Sequence, residues 1–220
     1  MMSGREKIEA AMSPAGTPEW GVVIPYESLC YRDHWSELTD KPWWWQFDPD
    51  PERQLGYQRD LIAGVPQDWM GLPASAPRSE RDAVTLEPRA DGVYRVDRRT
   101  GRSDRLERPQ VGGWSADAAR NHSVVPTEFP RTRAEVERMI PDPLPFDRAA
   151  YRMNGALDLP VKLMDAFPDR MPTGYVISPL WRCYHLWGFE GLMTQVLDAP
   201  ELVRFAAERY LAAALPSLEA

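Results

Sequence analysis

Thr173-Gly-Tyr-Val-Ile-Ser178 decides the fold. It is short, carries β-branched residues and is bounded by turn formers, so it predicts a strand. Helices follow at once. Arg182 to Leu197 places Leu186, Phe189, Met193, Val196 and Leu197 on one side. Asp198-Ala-Pro200 then restarts the chain into a terminal helix with Val203, Ala206, Ala207, Tyr210, Leu211 and Ala214 on one face. Near the other end, Gly21-Val-Val-Ile-Pro-Tyr26 has the profile of a buried strand. The helix before it opens on a capping-box pattern, Ser3-Gly-Arg-Glu6, and stops at Pro14-Ala-Gly16. Strand, helices, strand, helices is the rhythm of a parallel α/β fold. A closed (β/α)₈ barrel needs about eight such strands, and only two or three are discernible here. The expectation is a TIM barrel that stops partway round within a single 1–220 domain.

Between these ends the punctuation is dense, with 22 prolines in 220 residues. They exclude long uninterrupted helices before about residue 146. Gln54 to Ala63 reads as a helix with Leu55, Arg59 and Ile62 at helical spacing. From Val84 to Leu106 the period changes to two, with turn residues at Asp91-Gly92 and Thr100-Gly101. That pattern predicts a small antiparallel meander outside the main sheet, an insertion over about 84–108. Thr132-Arg-Ala-Glu135 is a second capping box, opening a helix to Ile140 that Pro141, Pro143 and Pro145 close. Asp147 to Phe167 predicts one helix, bent at Gly155 and Pro160.

Composition excludes several function classes. The net charge of −7 and pI near 5.1 argue against a nucleic-acid binder, which needs a basic field. The arginines from Arg95 to Arg108 are interleaved with Asp97, Asp104 and Glu107, the pattern of a solvated mixed-charge hairpin. No apolar run approaches the roughly 20 residues that span a membrane. Two cysteines, Cys30 and Cys183, make no disulfide framework, so a cytoplasmic location is expected. Nine tryptophans suggest an aromatic-lined cleft or a strongly aromatic core.

The order of motifs resembles the uroporphyrinogen decarboxylase-like superfamily, which holds the heme-pathway decarboxylase and corrinoid- or coenzyme M-dependent methyltransferases. Gly4-Arg-Glu-Lys-Ile-Glu-Ala-Ala-Met12 and Pro18-Glu-Trp-Gly-Val-Val-Ile-Pro25 look like that family's first helix and first barrel strand. The meander Asp91-Gly-Val-Tyr-Arg-Val-Asp97, then Pro126 and Arg131-Thr-Arg-Ala-Glu-Val-Glu137, is similar to an insertion of its methyltransferase-type members. Tyr175-Val-Ile-Ser-Pro179, Gly188-Phe-Glu-Gly-Leu-Met193 and Asp198-Ala-Pro-Glu-Leu-Val203 resemble its strand, active-site loop and helix pair. The resemblance implies the first part of a barrel and methyl transfer from a small methylated substrate to a corrinoid or thiol. The alternatives are the decarboxylase itself, or a catalytically incomplete fragment or interaction module. Partners implied are a small-molecule substrate, a corrinoid protein and a second copy of the chain. The decarboxylases follow their first strand with Arg-Gln-Ala-Gly-Arg-Tyr. Here Pro25 to His34 offers Arg32 alone beside Glu27 and Asp33, a poor grip for a polycarboxylate. The methyltransferases hold zinc with a His-x-Cys and a distant Cys in later strands, which this sequence does not include.

Reacting groups in parallel barrels sit where strands end. Two stretches qualify, Tyr26 to His34 and Ser178 to His185. The candidate catalytic residues are Tyr26, Glu27 and His185. Arg32, Trp44, Arg182 and Tyr184 are candidate substrate contacts, with Trp43-Trp44-Trp45 as a roof or as a packed aromatic cluster. Cys30, His34, Cys183 and His185 supply four ligand types for a tetrahedral zinc site, and the same residues also read as ordinary packing positions. Tyr26, Glu27, Arg182 and His185 are expected to share one pocket. His122 reads as exposed and inert.

Overall fold

The Ser3 hydroxyl accepts the Glu6 N–H and the Glu6 carboxylate accepts the Ser3 N–H, so the capping box starts α1 (Gly4–Ala11) as its pattern predicts. After an extended stretch come α2 (Glu27–Asp33), α3 (Trp35–Leu38) and a 3₁₀ turn over Trp43–Phe47. Asp50 caps α4 (Pro51–Gly64), with Pro51 in the first turn where its missing N–H costs nothing. β1 (Trp69–Gly71) and α5 (Arg78–Ala83) lead to β2 (Val84–Arg89), β3 (Gly92–Asp97) and β4 (Ser103–Arg105). Then follow α6 (Arg133–Met139), α7 (Arg148–Met153), α8 (Asp158–Ala166), β5 (Met171–Thr173), α9 (Pro179–Asp198) and α10 (Pro200–Leu218). This computed structural model describes residues 1–112, 126, 128–143 and 145–218. Two units form, Met1–Gly112 with Arg152–Tyr175, and Gly113–Tyr151 with Val176–Ala220.

In the first unit β1 and β5 pair in parallel, with Met70 opposite Pro172. α4 and α8 cover them through Leu55, Ile62, Met70, Leu159 and Leu163, all buried. A second cluster joins Tyr31, Trp35, Tyr57, Leu61 and Val65, with Trp43 and Trp45 packed against it. The meander is a separate antiparallel sheet in the order β2-β3-β4, as the period-two pattern requires. The fold is thus mixed α/β, and the described strands form no closed barrel.

The second unit is helical among its described residues. α6, α9 and α10 bury Val136, Ile140, Cys183, Trp187, Leu192, Leu202, Val203 and Ala206. The Trp187 indole N–H donates to the Pro130 carbonyl at 2.8 Å, which satisfies the polar edge of this large buried side chain.

Four expectations need correction. Residues 21–24 run extended but form no ladder strand. The Val22 carbonyl accepts the Asp68 N–H at 2.7 Å, yet the Val22 N–H goes to the Asp68 carboxylate and the Ile24 N–H to the Gln67 side chain. Side chains have replaced the backbone ladder. The second strand is Met171–Thr173 rather than Thr173–Ser178. Its partner β1 runs into Pro73, and the Leu72 N–H donating to Thr173 is the last bond between them. The helix expected over Asp147–Phe167 is two, because Gly155 adopts φ 90° between them, while Pro160 falls harmlessly in the first turn of α8. Finally, α9 breaks at Gly188 (φ 71°, ψ 175°). The break turns the second half of the helix, so Trp187 and Leu192 are buried while Phe189 is 63% and Leu197 81% exposed.

Leu159 is fully buried between α4 and β1. Leu159→Ala should destabilise the first unit by about 2–5 kcal/mol, the usual cost of a large-to-small change in a tight core. Urea denaturation followed by tryptophan fluorescence measures it.

Candidate functional site

A cavity of about 450 Å³ opens where β1 and β5 end. Its walls come from residues on either side of α2's start (Ile24, Pro25, Glu27, Ser28, Tyr31), from Gln58 of α4, and from the strand ends Trp69 to Pro73 and Thr173 to Tyr175. Parallel strands leave their C-terminal ends open to loops, which is where such a cavity is expected.

Glu27 is the fixed point of this site. One carboxylate oxygen accepts the Gly71 N–H at 3.0 Å and the other accepts the Gln67 Nε2–H at 2.8 Å. The contact with Gly71 is so close that a Cβ there would overlap the Glu27 Oε1, so glycine is required for the carboxylate to lie against the strand. Gln67, itself buried, also donates to the Tyr31 hydroxyl at 3.1 Å and accepts the Ile24 N–H at 3.2 Å. Burial, and after it the Glu27 charge, pushes the Tyr31 hydroxyl well above its ordinary value, so Tyr31 stays neutral. The Trp69 indole N–H is buried and has no acceptor among the described residues. Such an unmet donor costs about 1–3 kcal/mol.

The residues singled out in the sequence are distributed as follows. Glu27 lines the cavity, whereas Tyr26, beside it, is 64% exposed. Arg32 pairs with Asp33 at 2.7 Å at the end of α2, Asp33 also accepts the Gly112 N–H, and neither side chain lines the cavity. Trp44 stacks edge-on against Trp45 with the Arg53 guanidinium 5.9 Å from its ring, part of the packed aromatic cluster and away from the cavity wall. Arg182, Tyr184 and His185 belong to the second unit, where Tyr184 stacks on Trp181 at 4.9 Å and His185 meets both rings edge-on. His122 lies outside the described residues.

The four residues considered for zinc lie in different surroundings. Cys30 and His34 belong to the first unit, Cys183 and His185 to the second. Cys183 is fully buried in the helical core while His185, two residues on, is exposed. His34 instead meets Glu37 at 3.0 Å. Among the described residues no group of three or more His, Cys, Asp or Glu is arranged to hold a metal, and no helix is long and apolar enough to cross a membrane.

Comparison with protein-family models, curated proteins and solved structures gave no match. The site therefore rests on its own geometry. Tyr31, Gln67, Trp69 and Tyr175 were not picked out in the sequence. The available signal was the short run Trp69-Met-Gly-Leu-Pro73, closed on both sides by Pro66 and Pro73, which is shorter than an ordinary strand. A groove of about 330 Å³ in the second unit, along Glu128 to Met139, is the weaker candidate. Its Glu135 carboxylate already accepts the Arg131 and Thr132 N–H groups and the Thr132 hydroxyl, as a helix cap does.

Burial raises the Cys183 thiol from 9.0 to about 11, so the folded chain keeps it protonated. Native protein at neutral pH should react with a thiol reagent at Cys30 only, and at Cys183 only after unfolding. Between pH 9 and about 11 the unfolded thiol ionises while the folded one does not. The stabilising contribution of this group should therefore be complete below pH 9 and disappear across that window.

Proposed function

We propose that this chain is an enzyme that takes a small organic substrate in the cavity at the ends of β1 and β5. Within that class we favour a methyltransferase-type member of the uroporphyrinogen decarboxylase-like superfamily, built as part of a (β/α)₈ barrel. The observation that carries the proposal is Glu27, a carboxylate pinned by Gly71 and Gln67 in the wall of a cavity at parallel strand ends. Helix cover on β1 and β5, an extended segment beside β1 and the meander in its own sheet are consistent with the order of motifs that carries the resemblance. In methyl transfer the methyl group leaves the substrate heteroatom without the bonding electrons and bonds to a lone pair of the acceptor, a corrinoid cobalt or a thiolate. The heteroatom keeps the electron pair. Glu27 is placed to orient the substrate, and Tyr31 and Gln67 to hold Glu27.

The test is a panel of methylated amines, ethers and thioethers offered with reduced cobalamin, with methylcobalamin read by absorbance. Transfer above the uncatalysed rate that falls at least about tenfold in Glu27→Gln supports the proposal. Donors that bind in the cavity without any transfer would sink the methyltransferase reading and leave only a binding site.

One observation favours an interaction module instead. Leu180, Trp181, Phe189, Met193, Val196 and Leu197 are all exposed along α9, an apolar run of the kind that marks association surfaces. Sedimentation velocity over a concentration series should then show self-association, weakened by Phe189→Ser with Leu197→Ser. A single monomeric boundary at every concentration would remove this alternative.

A further inference from the structure

The wall of the strand-end cavity is one-sided in charge. Glu27 lines it, and no Lys, Arg or His does. The Arg170 guanidinium, the cation whose field reaches Tyr31, donates to the carbonyls of Val65 and Gln67 at 3.0 and 2.6 Å and is held on that backbone. Each Glu27 oxygen accepts one hydrogen bond from the protein and so keeps accepting capacity. Three aromatic side chains, Tyr31, Trp69 and Tyr175, share the wall with Ile24, Pro25, Leu72 and Pro73. The Trp69 indole N–H has no acceptor among the described residues.

We propose that this cavity selects a small organic cation, an alkylated ammonium. The inference rests on the cavity being the ligand site and narrows its substrate class. An anion would meet the Glu27 carboxylate with no compensating charge, and a neutral ligand would leave that carboxylate partly desolvated and unpaired. A bare ammonium holds its water too strongly for walls that are mostly aromatic and aliphatic. Alkylation spreads the charge over methyl groups that pack against aromatic rings, where the ring quadrupole attracts cations. A cavity of about 450 Å³ accommodates a ligand of this size.

Choline is the probe, compared with its neutral carbon analogue, in which a quaternary carbon replaces the nitrogen, and with tert-butylacetate, an anion of similar shape. Each is titrated into the full chain and followed by amide NMR at Gly71 and Gly174. Choline should bind at least about tenfold tighter than the neutral analogue, a difference of about 1.4 kcal/mol. Glu27→Gln should abolish that preference. Tyr175→Leu, which removes an aromatic face of the wall at an exposed position, should weaken choline and leave the neutral analogue unchanged, and it serves as the second variant if Glu27→Gln perturbs the fold. The cation inference is overturned if the neutral analogue or the anion binds as well as choline, or if choline does not bind. Shifts at Gly71 and Gly174 from either comparison compound would still uphold the cavity as a ligand site, whereas no shift from any of the three takes both down.

Discussion

Asp68 is the residue on which the first unit depends. Its N–H donates to Val22, its carbonyl accepts the Met171 N–H, and its carboxylate accepts the Val22 N–H and meets the Lys7 ammonium at 3.4 Å. One residue therefore ties α1, the extended 21–24 segment and β5 to the start of β1. The approach of α1 is close enough that a Cβ on Gly4 would lie 2.8 Å from the Asp68 Cα and carbonyl oxygen. Three-residue strands bury little by themselves, and sheets this small need cover and cross-bracing to persist. Here the bracing comes from polar side chains at the strand start, Asp68 and Gln67, which leaves the strand ends unencumbered.

That division places the cavity. Gln67 braces Ile24 with its carbonyl oxygen and holds Glu27 and Tyr31 with its amide, so a single buried side chain links the support of the sheet to the wall of the site. Buried polar networks of this kind are costly when partly satisfied and rigid when complete. Glu27, Gln67 and Tyr31 are all bonded within it.

Local chemistry was legible in the sequence, and tertiary substitutions for it were not. Both capping boxes and the meander formed where pattern and punctuation put them, and the helix expected over Gln54 to Ala63 formed as Pro51–Gly64, because each is decided by groups within a few residues. The extended 21–24 segment was misjudged because its ladder partners are side chains of Gln67 and Asp68, more than forty residues away. The α9 face was misjudged because Gly188 looks like any helical glycine until its φ of 71° breaks the period. In the site, Glu27 was visible as an acid after an apolar run, while Tyr31 and Trp69 were not, since their roles arise from the meeting of α2, β1 and β5 around one cavity.

The same geometry bears on which chemistry the resemblance can support. The segment from Tyr26 to His34 places Glu27 in the cavity wall, while Arg32 is paired with Asp33. A polycarboxylate would have to enter past Glu27 with no lining cation to offset it, and a buried unpaired charge is among the most expensive arrangements a protein can hold. The charge of one side chain, fixed by Gly71 and Gln67, thus disfavours anionic ligands in this cavity.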